Sequence, residues 1–172
     1  MIITKMTASF GRLEDNTLTL SPGLNVIQAP NEAGKSTWCT FIQTMFYGLP
    51  ASERAREGFI PTKKRFAPWS GAPMGGAMDL VLGDGRTITI ERRSGGRQPM
   101  RDFSAFVTGS SVSIPELTAE TVGETLLGVP RAVFERSAFI GQNCIRVDHS
   151  DELEQRIAAT HWDKVASRDI QK

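Results

Sequence analysis

Leu24-Asn25-Val26-Ile27-Gln28-Ala29-Pro30-Asn31-Glu32-Ala33-Gly34-Lys35-Ser36-Thr37 is the stretch on which the reading of this chain turns. Val26 and Ile27 lie in a short apolar run that suits a buried parallel strand. Pro30 and Asn31 break that run, and Gly34-Lys35-Ser36-Thr37 opens a segment of helical period. A strand, a loop ending in Gly-Lys-Ser and a helix together make the phosphate-binding P-loop arrangement. The first N–H groups of a helix lack intrahelical acceptors, and the helix dipole adds positive charge there, so a polyphosphate fits. Gly34 lets the backbone approach a phosphate closely, Lys35 would reach the β- and γ-phosphates, and the Ser36 hydroxyl would ligate Mg²⁺. Thr37 adds a hydroxyl nearer the α-phosphate. The strict motif has one more glycine, and its place is taken by Ala29, which is admissible only where that turn keeps a negative φ.

Downstream of the loop, Trp38, Phe41, Ile42, Met45 and Phe46 recur at i, i+3, i+4, i+7 and i+8, which predicts one buried helical stripe. Gly48 and Pro50 end that helix. Upstream, Met1 to Phe10 reads as a strand, Gly11-Arg12 breaks it, and Asn16 to Leu20 reads as a second strand closed by Ser21-Pro22-Gly23. Residues 51–76 lack periodicity and read as a long irregular insertion. Its basic residues, Arg54 to Arg65, default to solvent contact. Two alternating runs around Asp84-Gly85 predict a β-hairpin. Arg92 to Arg101 reads as a basic connection and Phe103 to Val107 as a further strand. Leu117 to Leu127 reads as a helix with Thr121 and Glu124 as a capping pair and Gly128 as its stop. Pro130 opens a short helical turn over Arg131 to Arg136, and Ser137 to Gln142 reads as an apolar strand ending in an amide.

Length and composition narrow the class. A chain of 172 residues suffices for one domain that buries roughly 70% of its unfolded surface. A formal net charge of +1 gives no global field that would recruit nucleic acid or membrane. Cys39 and Cys144 read as two reduced thiols, and His149 and His161 make no metal-ligand spacing with them. With no signal-peptide h-region and no apolar run of spanning length, the chain reads as soluble and cytoplasmic, with no membrane partner.

With these pieces in order, the chain resembles the N-terminal half of an ATPase head from the SMC/SbcC/RecN-like branch of the ABC superfamily, and in particular the YhaN-type AAA domain. The matching words are Ser21 to Ile27, Pro30 to Thr37, Pro68-Trp69-Ser70-Gly71, Glu91-Arg92 and Val133 to Gln142. The resemblance implies an α/β P-loop NTPase lobe with an antiparallel β subsheet over residues 1–147. Residues 148–172 would then begin a coiled-coil helix or a polar tail. It also implies ATP and Mg²⁺ as cofactors. Asn31, Glu32, Ala33, Gly34, Lys35, Ser36 and Thr37 would hold the phosphates, with Arg12 near the nucleotide. Lys35 and Gln142 would carry catalytic roles, and Ser36 and Gln142 would stand at the metal, Gln142 as the Q-loop amide. In such families a C-terminal lobe, from the same gene or a separate chain, supplies the remaining motifs. Two heads then dimerise around ATP, and closure drives DNA tethering or nuclease partners.

Ser94-Gly95-Gly96-Arg97-Gln98 looks like the ABC signature, but it leaves a hairpin strand, precedes Pro99 and comes before the Q-loop, so it is set aside. Hydrolysis needs an acidic Mg²⁺ ligand on a second strand. Leu80 to Asp84 is the nearest candidate, but the Asp-Gly turn claims that aspartate, and Ile145 to Asp148 is interrupted by Arg146. The expectation is therefore an ATP-binding lobe of a DNA-repair or chromosome-maintenance ATPase, reading as a truncated or split gene product that turns over ATP only when completed. The alternatives are a small P-loop kinase with Arg54 to Arg65 as its lid, and a non-enzymatic remnant acting as an interaction module.

Overall fold

The computed structural model describes residues 1–50, 52–95 and 98–139. Chain contacts divide it into a unit of Met1–Gly128 and a second beginning at Val129. The first unit is built on a five-stranded, wholly antiparallel sheet. In chain order its strands are β1 (Ile2–Phe10), β2 (Leu13–Thr19), β3 (Gly75–Val81), β4 (Thr87–Gly95) and β5 (Gln98–Val107), and in space they run β2-β1-β3-β4-β5. Among the described residues the helices are α1 (Lys35–Tyr47), α2 (Thr62–Arg65) and α3 (Val122–Leu127) in this unit and α4 (Arg131–Ser137) in the second.

Alternation decides which sheet face is covered. Met6, Ala8 and Phe10 of β1, Met78 and Leu80 of β3, and Ile88 and Ile90 of β4 are buried and belong to one core cluster. The stripe of α1 closes on it through Trp38, Phe41, Met45 and Phe46. Phe41 meets Phe10 edge-on at 5.8 Å and Trp38 at 5.8 Å, while Phe66 stacks on Phe10 at 5.1 Å. Burial of each such ring stabilises the fold by about 1.5–3 kcal/mol, so this aromatic group holds α1 on the sheet. Gly48, with φ of 70°, terminates α1 as expected.

The hairpin at Asp84-Gly85 forms as predicted, with Leu82 N–H donating to Arg86 O and Asp84 accepting from the Arg86 backbone and guanidinium. The backbone N–H, with the guanidinium beside it, holds the Asp84 carboxyl below the usual range.

Several expectations need correction. Leu24, Val26 and Ile27 form no strand and are not buried; Leu24 is 91% and Val26 81% exposed. A parallel strand needs a neighbour, and among the described residues the sheet is antiparallel, with β2 and β5 at its edges. The basic connection Arg92 to Arg101 is largely strand, because β4 runs on to Gly95 and β5 starts at Gln98. The helix expected from Leu117 begins only at Val122, and Thr121 makes no side-chain cap; its hydroxyl pairs instead with that of Thr118 at 2.9 Å. Ser137 closes α4 rather than opening a strand, its hydroxyl donating to Val133 O. Cys39 lies on α1 as expected, but on its exposed side. Residues 52–76 are irregular apart from α2, a single bridge between Arg56 and Phe59, and the start of β3. Gln142, Cys144, both histidines and the coiled-coil start lie outside the described residues.

Candidate functional site

The loop of residues 29–34 and the first turn of α1 form the site. Glu32 takes φ of 65° and Gly34 φ of 90°, so the backbone turns sharply into the helix. A Cβ at Gly34 would stand 3.0 Å from Leu13 Cδ2, which adds crowding to the left-handed conformation and explains glycine there. Ala29 is not among the positive-φ residues, the condition under which alanine can replace the motif's first glycine.

Trp38 N–H donates to Gly34 O and starts the helical ladder. The N–H groups of Lys35, Ser36 and Thr37 lie one turn too early to share it, and no acceptor faces them among the described residues. Three adjacent donors at the positive end of a thirteen-residue helix suit an anion. Lys35 Nζ folds back onto the loop, donating to Ala29 O at 2.5 Å and Pro30 O at 2.7 Å, so its charge sits over the same cradle. Ser36 is exposed, leaving its hydroxyl accessible to a phosphate-bound cation. The donor set and the sharp turn through Gly34 fit a nucleotide polyphosphate with its Mg²⁺.

Arg12 lies beside this loop. Its guanidinium is 3.8 Å from the Glu32 carboxylate and packs over the Trp69 ring at 5.3 Å. Gly11 N–H donates to Phe66 O and Trp69 N–H to Gly11 O, which ties the 66–69 segment to the β1–β2 turn. The structure thus gathers Arg12, Glu32, Gly34, Lys35, Ser36 and Thr37 at one end of α1. Residue chemistry alone does not single out Trp69; it belongs to Pro68-Trp69-Ser70-Gly71, one of the words that carry the resemblance. Among the described residues no cluster of three or more His, Cys, Asp or Glu could hold a metal alone, and no helix is long and apolar enough to cross a membrane.

Residues 1–148 match the AAA domain family, and the chain belongs to it. The sheet and the Gly-Lys-Ser turn are thus parts of an ATPase-like domain, a class that binds nucleotide and usually Mg²⁺. Among curated proteins the chain is similar to the "Uncharacterized protein YhaN" of Bacillus subtilis (strain 168), with 28% identity over 95 residues. That match covers 55% of this chain but 9% of the relative, a far longer protein.

Proposed function

We propose that this chain is the ATP-binding N-terminal half of an SMC-like ATPase head, in which Asn31 to Thr37 hold the polyphosphate of Mg-ATP. The observation that carries this reading is the first turn of α1: three open N–H groups, Gly34 at φ of 90° and the Lys35 ammonium converge on one small volume. Bound nucleotide would exchange the Ala29 and Pro30 carbonyls on Lys35 for phosphate oxygens, a stronger charge-assisted contact. Arg12, beside Glu32, would stand at the loop's flank, and Gln142 would complete the metal side as the resemblance implies.

Turnover is assigned to the completed head. The exposed Leu24-Asn25-Val26-Ile27 segment supports this, because it leads into the phosphate loop yet pairs with no strand among the described residues. A C-terminal ATPase lobe, supplied in cis or in trans, would add such a strand and the acidic Mg²⁺ ligand, with head-to-head dimerisation, DNA and a nuclease as the further partners. A role in DNA repair or chromosome maintenance rests on the resemblance of the ordered motifs.

Calorimetric titration of Mg-ATP into the purified chain, with Lys35→Ala as control and turnover followed in parallel, tests the reading. Binding that the variant loses, with turnover near background, is expected. Rapid turnover by the chain alone would overturn the half-head assignment, and absence of binding would overturn the nucleotide site.

A further inference from the structure

At the opposite end of α1, about 20 Å along its axis from the phosphate loop, lies a cavity of about 470 Å³. That volume is within the range of small-molecule sites. Its lining combines apolar side chains, Tyr47, Leu49 and Met100 with neighbouring prolines, with the cations Lys63 of α2, Arg92 of β4 and Arg101 of β5; among the described residues Glu120 is the one carboxylate that joins them.

Arg92 makes this arrangement unusual. It continues the inward register of Ile88 and Ile90 and is only 2% exposed. Its Nε donates to Met45 O, Nη1 to Met100 O and Nη2 to Ala119 O. A guanidinium has five N–H groups, so one remains on each terminal nitrogen. The three carbonyls satisfy geometry but carry no formal charge, and Glu120, the one acid that bears on Arg92, is itself exposed. Met100, whose carbonyl holds Nη1, is buried with φ of 59°, a conformation costly for a residue with a Cβ. Strain is thus retained where the backbone fixes the guanidinium.

We propose that this cavity binds an organic phosphate monoester, its phosphate held by Arg92, Lys63 and Arg101 and its apolar body lying against Tyr47, Leu49 and Met100. Among the described lining residues, three cations against one carboxylate leave an excess of two positive charges, which matches the charge of about −1.5 to −2 that a phosphate monoester carries at neutral pH. The planar guanidinium suits tetrahedral phosphate oxygens better than a point charge would. The site does not depend on the nucleotide reading, since it shares no residue with the phosphate loop.

The test uses the full chain carrying Lys35→Ala, so that the phosphate loop does not compete, with ¹³C-methyl methionine NMR. The six methionines keep the spectrum simple, and Met100 reports on the cavity floor. Phenyl phosphate is the probe, with inorganic phosphate and phenol as the two halves of its chemistry. Phenyl phosphate is expected to shift the Met100 methyl and to bind at least about tenfold more tightly than either half. Lys63→Gln with Arg101→Gln, both at exposed positions, is expected to weaken it by about tenfold or more while leaving the remaining methyl signals in place. An unmoved Met100 signal, equal binding of inorganic phosphate, or unchanged affinity in the double variant would each overturn the proposal.

Discussion

Gly76 of β3 lies directly beneath the ring of Phe41 on α1, so close that a Cβ at position 76 would stand 2.6 Å from Phe41 Cζ and would also collide with the Thr7 carbonyl. The helix that carries the phosphate loop rests on bare backbone at this point. Gly76→Ala must displace either a β1 carbonyl or a fully buried ring. A loss of about 3 kcal/mol is expected, read as a lower urea midpoint at unchanged slope.

Arg92→Met keeps most of the side-chain volume but strands the carbonyls of Met45, Met100 and Ala119. Those groups belong to α1, β5 and the segment before α3, so the change loosens three elements together. A destabilisation of about 3–5 kcal/mol is expected from chemical denaturation. Arg92→Lys restores the charge but cannot reach three acceptors at once, and its loss should fall between the two.

Lys35→Ala separates ligand binding from folding. Lys35 bonds only loop carbonyls, one of the two at an exposed position, so stability should change by less than about 1 kcal/mol. Affinity for Mg-ATP should fall roughly a hundredfold, because the lost contacts with phosphate are charge-assisted. Calorimetry and thermal melts on the same preparation check both halves.

Val26→Ser asks whether the exposed run is a surface of the isolated chain. At 81% exposure the substitution should alter stability by no more than about 0.5 kcal/mol. In a coexpressed complex with a C-terminal lobe the same change should weaken association by several-fold, measured by analytical ultracentrifugation. A large loss of stability in the isolated chain would show that Val26 is core after all.

What was legible in the sequence was what local chemistry dictates. Trp38, Phe41, Met45 and Phe46 sit at helical spacing and are buried, and Asp84-Gly85 makes its turn without outside help. Val26 and Ile27 misled because apolar content predicts a strand while burial requires a neighbour. Thr121 and Glu124 fit a capping pattern, but the Thr121 hydroxyl had a nearer partner in Thr118. Arg92 opens a basic connection by its sequence context; a charged residue is read as outward-facing, and nothing local reveals that three distant carbonyls receive it. Gly34, Lys35 and Ser36 meet at the start of α1 because their spacing answers to one turn geometry, whereas Trp69 reaches Arg12 only through the fold.

The pairing of β1 with β3 joins Ile2 to Val81, and everything between them, including β2, the phosphate loop and α1, hangs inside that closure. By contrast β3, β4 and β5 pair with their immediate neighbours in the chain and need only short loops to form. Local hairpins close quickly, while a contact spanning so much chain must first overcome the entropy of a large loop. The loop at residues 29–34 is therefore expected to settle late in folding, once the first strand finds the third. Nucleotide bound at this loop as proposed, being held by the finished state and not the unfolded chain, would act as a latch on that last step.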